Sequence, residues 1–170
     1  MSMKKKFLAQ NLSRADSGTF KGTCILHSPA ETLKYARGVA AALKPGAVLA
    51  LSGGLGSGKT TFMKGLCSGL GVRASDEVKS PTFVLMHVYQ GSCPIYHFDL
   101  YRLEDAADAE AIGLGECLAD AKSITCVEWA ERAADLFPEN TLWLKFRTAG
   151  PETRILEMIP AKETAHDSQK

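Results

Sequence analysis

Residues 47–51 (Ala-Val-Leu-Ala-Leu) are apolar at every position, the pattern of a strand buried on both faces of a parallel sheet. A Gly-rich stretch follows, and then a segment from Lys59 to about Leu70 that predicts a helix closed by Gly69 and Gly71. Upstream, residues 23–27 predict a short strand. Ser28-Pro29-Ala30-Glu31 then has the form of a capping box, with Ser28 at the N-cap, Pro29 at N1 and Glu31 at N3. The helix it opens presents Leu33, Ala36, Ala40 and Leu43 on one face and stops at Lys44-Pro45-Gly46. Residues 82–90 and 95–101 are β-rich runs on either side of Gly91-Ser92-Cys93-Pro94, which predicts a hairpin. Residues 104–121, rich in alanine and acids, predict helix with a break at Gly113-Leu114-Gly115. A buried strand over 123–127 and a short helix over 130–136 come next. Leu142, Leu144 and Phe146 alternate with Thr141, Trp143 and Lys145, and a turn at Gly150-Pro151 leads to a last strand over 154–159. Strands alternating with helices in this way predict a three-layer α/β fold whose mixed sheet is mostly parallel with some antiparallel strands.

Residues 1–21 are polar and show no clear period, and the tail after Pro160 reads the same way. The expected organisation is therefore one domain over 22–159, with flexible extensions at 1–21 and 160–170. At 170 residues and 45% hydrophobic composition, a single domain buries roughly 70% of its unfolded surface without a staple. Twenty Lys and Arg against 19 Asp and Glu leave a net charge of +1, so no global basic field recruits nucleic acid. A membrane span needs about 20 consecutive apolar residues, far beyond any run here, so no membrane partner is expected. No apolar stretch of a secretory signal follows Lys4, Lys5 and Lys6. The five cysteines lie nowhere near CxxC spacing. That spacing disfavours a disulfide framework or a thiolate zinc site and fits the reducing cytoplasm.

Gly53-Gly54-Leu55-Gly56-Ser57-Gly58-Lys59-Thr60 satisfies G-x-x-x-x-G-K-[ST] at every required position. Its glycines let consecutive backbone N–H groups turn inward onto phosphate oxygens, and the following helix adds its positive N-terminal end. Lys59 is expected to reach the β- and γ-phosphates, and the Thr60 hydroxyl to ligate Mg²⁺. A plain glycine-rich turn would look similar, but the strand before and helix after it favour a nucleoside triphosphate site. Such a site also needs an acid near the metal at the end of a buried strand, and Glu128 follows the run Ile124-Thr125-Cys126-Val127. Asp99, in His97-Phe98-Asp99-Leu100-Tyr101-Arg102, competes for that role. On a strand His97, Asp99 and Tyr101 share one face, and a buried His97/Asp99 pair orienting each other is the structural alternative.

With the phosphate loop, Ser80-Pro81-Thr82-Phe83, His97–Arg102 and Val127-Glu128-Trp129 in this order, the chain resembles the TsaE (YjeE) family. These are small bacterial P-loop ATPases required for threonylcarbamoyladenosine formation in tRNA. The resemblance runs from about Ser28 to Arg154 and includes Glu31-Thr32, Pro45-Gly46 and Leu55 through Thr61. It implies a P-loop NTPase-like fold. It implies that Gly53, Gly54, Leu55, Gly56, Ser57, Gly58, Lys59, Thr60 and Thr61 hold ATP, with Thr60 and Glu128 on Mg²⁺. Thr82 would sit near the γ-phosphate or metal in a switch-like loop, and Asp99 would be needed for hydrolysis alongside Lys59 and Glu128. Trp129 would report the nucleotide, and Thr32 would approach the base. Gly54 and Ser57 stand where the family often has Asp and Ala, and neither change removes a phosphate ligand.

The partners implied are a metal-dependent threonylcarbamoyl transferase and its inactive relative, with tRNA reached indirectly through them. One feature of the residues agrees. Glu104, Asp105, Asp108, Glu110, Glu116 and Asp120 occupy 103–121 with no Lys or Arg among them, a stretch that repels a phosphate backbone unless it is simply a solvated face. The rival reading is a small-molecule P-loop kinase. Such kinases carry an Arg-rich lid, whereas only Lys122 is basic between Leu103 and Glu131. A nucleotide-gated adaptor that scarcely turns over alone overlaps with the family reading.

Overall fold

The computed structural model describes residues 21–73 and 77–160. Strands β1 (Gly22–Leu26), β2 (Val48–Ser52), β3 (Met86–Gln90), β4 (Pro94–Asp99), β5 (Ile124–Glu128), β6 (Leu142–Thr148) and β7 (Arg154–Pro160) form one seven-stranded sheet. Their order is β1-β7-β6-β2-β5-β4-β3. The central strands β6, β2, β5 and β4 run parallel, while β7 against β6, β1 against β7 and β3 against β4 are antiparallel. Helices α1 (Pro29–Ala40) and α2 (Lys59–Gly69) cover one face. Helices α3 (Ala106–Ala111) and α4 (Leu114–Ala119) and a 3₁₀ helix (Ala130–Leu136) cover the other. The predicted three-layer mixed fold is the one observed. The expected extensions over 1–21 and 160–170 lie, apart from residues 21 and 160, outside the described residues.

Strand β2 is the centre of this packing. Leu49 and Leu51 belong to the core beneath α1 and α2, whereas Val48 and Ala50 belong to the core under α3 and α4. Alternate side chains of a strand point to opposite faces, so an unbroken apolar run is what a strand sandwiched between two helical layers requires.

Helix α1 begins as expected: Ser28 Oγ accepts from the Glu31 amide at 3.2 Å, and the Glu31 carboxylate accepts from the His27 amide at 2.8 Å. It ends at Ala40, short of Lys44, and its buried residues are Thr32, Tyr35, Ala36, Val39 and Ala40. Leu33 and Leu43 are only half-buried, so the predicted apolar face is rotated. The reason lies in α2. A Cβ on Gly65 would fall 2.5 Å from the Leu33 carbonyl oxygen and 2.8 Å from Ala36 Cβ; one on Gly69 would fall 2.6 Å from Ala40 Cβ. The two helices pack through their smallest residues, which brings Ala36, Ala40 and the Leu33 backbone, rather than the Leu33 side chain, to the contact. Gly65→Ala is therefore expected to destabilise the fold by about 1–3 kcal/mol through overpacking, despite alanine's better helix propensity. Urea denaturation measures this, and an unchanged or raised midpoint would show that the helices are not so tightly apposed.

Two further elements depart in detail from the sequence pattern, and a third breaks where the glycines predict. Residues 82–85, expected to begin a strand, lie in a turn in which the Val84 and Leu85 amides both donate to the Pro81 carbonyl, at 3.0 and 2.6 Å. Leu85 takes the left-handed region at φ 68°, so pairing starts only at Met86. The helix over 104–121 is split at Gly113, φ 81°, as the glycines suggested. The segment after Glu128 is a 3₁₀ helix with a non-helical Ala133. All five cysteines are free thiols. Among the described residues no helix is long and apolar enough to cross a membrane.

Candidate nucleotide site

At the C-terminal end of β2 the chain enters the glycine-rich loop and leaves it as α2. Gly53, Gly56 and Gly58 have φ of 135°, 71° and 103°, conformations that L side chains resist. Gly53 is also sterically obligatory, because a Cβ there would meet the Phe146 carbonyl oxygen of β6 at 2.4 Å. Gly54 is different: a Cβ there meets nothing within 4 Å, so this position accepts a side chain. No side chain caps the N-terminus of α2, so the first-turn amides keep their donors for an incoming anion. The Ser57 hydroxyl is buried without a partner. An orphaned donor on a glycine-rich loop that leads into an uncapped helix N-terminus fits a phosphate.

A cleft of about 290 Å³ runs along this loop. Of the residues singled out from sequence, Thr32, Leu55, Gly56, Ser57, Gly58, Lys59, Thr60, Thr61, Thr82, Asp99, Glu128 and Trp129 all line it. Gly53 and Gly54 do not; their carbonyls instead hold the Lys59 ammonium, at 2.6 and 3.0 Å. Lys59 is 4% exposed and its Nζ stands 4.2 Å from the centre of the Trp129 ring. Burial pushes this ammonium below its ordinary pKa, with Glu128, Glu131 and Asp99 pulling the other way. A cation held in this state gains from any anion that reaches it.

Glu128 ends β5 directly opposite Asp99 at the end of β4, in parallel register. The Thr60 hydroxyl lies 3.1 and 3.2 Å from the two Glu128 carboxylate oxygens. Two oxygen donors side by side at the first turn of α2 suit Mg²⁺, which keeps several waters and takes phosphate oxygens for the rest of its octahedron. Among the described residues no set of three His, Cys, Asp or Glu could hold a metal ion. His97, fully buried, places Nε2 3.0 Å from Glu128 Oε1 and so positions the carboxylate.

Asp99 is the hub of the switch-like loop. Its Oδ2 accepts from Thr82 Oγ1 at 2.6 Å and from Ser80 Oγ, and its Oδ1 accepts from the Tyr101 amide at 2.9 Å. The His97/Asp99 pairing considered from sequence does not form, since each residue finds its partner elsewhere. Trp129, immediately after Glu128, sits in the left-handed region at φ 58°, a conformation that costs a non-glycine residue about 1–3 kcal/mol. The strain turns its ring over Lys59 and against Tyr101, with ring centroids 5.0 Å apart.

Two participants escaped the sequence reading. Ser80 belongs to the run 80–83 that the resemblance implies is a switch-like loop, but its bond to Asp99 is not marked by the sequence. Arg154, from the start of β7, lines the cleft and donates from Nη2 to the Gly56 carbonyl at 3.0 Å. No local signal marks it, because its partner is 98 residues away.

Comparison with known proteins places the chain among relatives. Residues 26–156 match the family model described as "Threonylcarbamoyl adenosine biosynthesis protein TsaE". A "tRNA threonylcarbamoyladenosine biosynthesis protein TsaE" of Bacillus subtilis is 41% identical over 151 residues, covering 83% of this chain and 92% of the relative. One from Treponema pallidum is 38% identical over 131 residues, covering 77% and 95%. Among solved structures, that of Bacillus subtilis YdiB superposes with a TM-score of 0.71 at 32% identity, covering 85% of this chain and 88% of that one.

Proposed function

The chain belongs to the TsaE family of tRNA threonylcarbamoyladenosine biosynthesis proteins, and from that premise we propose that it is a Mg²⁺-dependent ATPase acting as a switch subunit. It binds ATP, changes the shape of one loop, and so controls its association with the threonylcarbamoyl transferase and that enzyme's inactive relative. Its place of action is the cytoplasm, and it meets tRNA only through those partners.

The observation that carries this reading is Asp99 joined to both Ser80 and Thr82 beside Glu128. A γ-phosphate arriving at that end of the cleft competes for the Thr82 hydroxyl, so loading the site rearranges residues 80–85. These residues expose Phe83 and Val84, 86% and 60% accessible, and an exposed apolar pair on a movable turn is a contact for a partner protein. Lys59 leaves its two glycine carbonyls for the phosphate oxygens, and Thr60 and Glu128 hold the metal. Bound Mg²⁺ neutralises charge on the phosphates. Asp99 accepts a hydrogen bond from the attacking water once Ser80 and Thr82 release it. While those two hydroxyls occupy the carboxylate, turnover is slow, and a partner that draws the loop away accelerates it.

The test captures the two partners on this chain in ATP, ADP and no nucleotide, and measures phosphate release with each partner added. Capture that depends on nucleotide, with stimulated hydrolysis, is the expected result. Equal capture in all three states with no stimulation would leave a stand-alone ATPase or a small-molecule kinase as the better reading.

A further inference from the structure

Two cations converge on one indole. Lys59 Nζ stands 4.2 Å from the centre of the Trp129 ring, and Arg132 Cζ stands 5.9 Å from it. Lys59 belongs to the glycine-rich loop and lines the cleft, whereas Arg132 belongs to the 3₁₀ helix after β5 and does not line it. We propose that Arg132 is a positioning residue for the phosphate end of the site. It fixes the Trp129 ring as the wall against which Lys59 is set, and it holds that wall in place when Lys59 turns to a phosphate. The inference rests on the reading of the cleft as a nucleotide site.

Three observations carry this. First, Trp129 needs a restraint. It is a non-glycine residue in the left-handed region, a conformation that persists only where its surroundings over-determine it. Its side chain is half-buried and caps no helix N–H, so the core alone does not hold it. Second, Arg132 is tied to the chain on both sides of the site. Its amide donates to the Trp129 carbonyl at 3.1 Å, at the exit of β5. Its Nη1 donates to the Leu103 carbonyl at 2.7 Å, beyond the exit of β4. One side chain therefore joins the two segments that follow Asp99 and Glu128. Third, the guanidinium lies at both rings of an aromatic pair. Tyr101 and Trp129 have centroids 5.0 Å apart at 47°, and Arg132 Cζ is 5.9 Å from each. Both rings line the cleft. Among the described residues the guanidinium is in no ion pair, although Glu131 is its neighbour, so its charge is left for the rings. Once a phosphate draws Lys59 away, Arg132 is the cation that remains on the indole.

The chain has two tryptophans, so Trp143→Phe leaves Trp129 as the single reporter in an otherwise full-length protein. In that background three quantities test the proposal: acrylamide quenching of Trp129 without nucleotide, ATP affinity by calorimetry, and phosphate release at saturating ATP and Mg²⁺. Arg132→Ala is expected to raise the quenching constant about twofold and to lower kcat about tenfold, the scale of a small misplacement at a reacting centre. ATP affinity should stay within about threefold, because the loop amides and Lys59 still hold the phosphates. Arg132→Lys keeps the charge but loses the planar fork. It should fall between the native chain and Arg132→Ala in both quenching and kcat, and it carries the test if Arg132→Ala does not fold. A lowered urea midpoint with quenching and kcat unchanged would mean that Arg132 only clips Leu103, and a loss of ATP affinity as large as the loss in kcat would make it a nucleotide ligand. Either overturns the proposal, as does a variant unchanged in every respect. A native chain that binds no ATP would instead sink the nucleotide reading, while the quenching measurement would still decide whether Arg132 holds the ring.

Discussion

Lys59→Ala loses about 10²-fold in ATP affinity while remaining folded. The ammonium contributes charge-assisted hydrogen bonds to the phosphates, each worth about 1.5–3 kcal/mol, and about 1.4 kcal/mol is tenfold in binding. The fold gains little from the same charge. Burial disfavours the ammonium, as the downward displacement of its pKa indicates, and its two hydrogen bonds go to carbonyls of its own loop. What the variant gives up structurally is the contact of the side chain with Trp129, so its stability should stay within about 1 kcal/mol of the native chain. Titrating ATP by calorimetry and unfolding both proteins in urea separates the two quantities. Retained affinity in a folded Lys59→Ala chain would mean that the triphosphate does not lie on this loop.

The phosphate loop was legible because every requirement is local: glycines where φ must be positive, a strand before and a helix after. The β3–β4 hairpin was legible for the same reason, with Gly91 and Pro94 marking its turn. Asp99 and Glu128 were each recognised as acids at strand ends, but their juxtaposition depends on β4 lying beside β5 in parallel register, a long-range pairing that no local pattern encodes. The alternative of a His97–Asp99 pair on one face of β4 fails because Asp99 is held by Ser80, Thr82 and the Tyr101 amide, while His97, in register with Cys126, reaches diagonally across to Glu128. The rotation of α1 was hidden because Thr32 and Tyr35 are polar by type, yet both are buried once Thr32 Oγ1 donates to the Ser28 carbonyl and Tyr35 lies against Met158. Apolar periodicity does not count such residues. Arg154 had the weakest signal of all, since its bond to the Gly56 carbonyl exists only when the β6–β7 turn is folded against the loop.

The strained positions of the described chain collect around the same cleft. Trp129 follows Glu128 and Leu85 closes the turn that carries Thr82; both are non-glycine residues at positive φ. The Leu85 carbonyl also accepts from the Asp99 amide at 3.1 Å. Any movement of residues 80–85 is thus transmitted directly to the backbone that presents Asp99, and the Asp99 side chain is in turn what restrains the turn. Under the proposed function, two arrangements of this unit, the one seen with Thr82 on Asp99 and a second with Thr82 on a phosphate, would be the discrete states that a switch requires.

That coupling leads to the second large effect. Asp99→Asn should lower turnover at saturating Mg²⁺ by about 10²–10³, the usual consequence of removing one group that stabilises the reacting centre, with ATP affinity nearly unchanged. The amide cannot accept from Ser80, Thr82 and Tyr101 as the carboxylate does, so the turn loosens as well, and the Val84 and Leu85 amides should exchange with solvent faster. Glu128→Gln makes the complementary case. It preserves an oxygen for His97 Nε2 but removes the negative charge beside Thr60, so the Mg²⁺ concentration needed for half-maximal ATP binding should rise several-fold while metal-free nucleotide binds as before. Measuring phosphate release and nucleotide binding across a Mg²⁺ series distinguishes the two acids, because one variant recovers with added metal and the other does not. If both retain activity within twofold at every Mg²⁺ concentration, neither acid has the role given to it. If Asp99→Asn recovers with metal and Glu128→Gln does not, the two roles are exchanged.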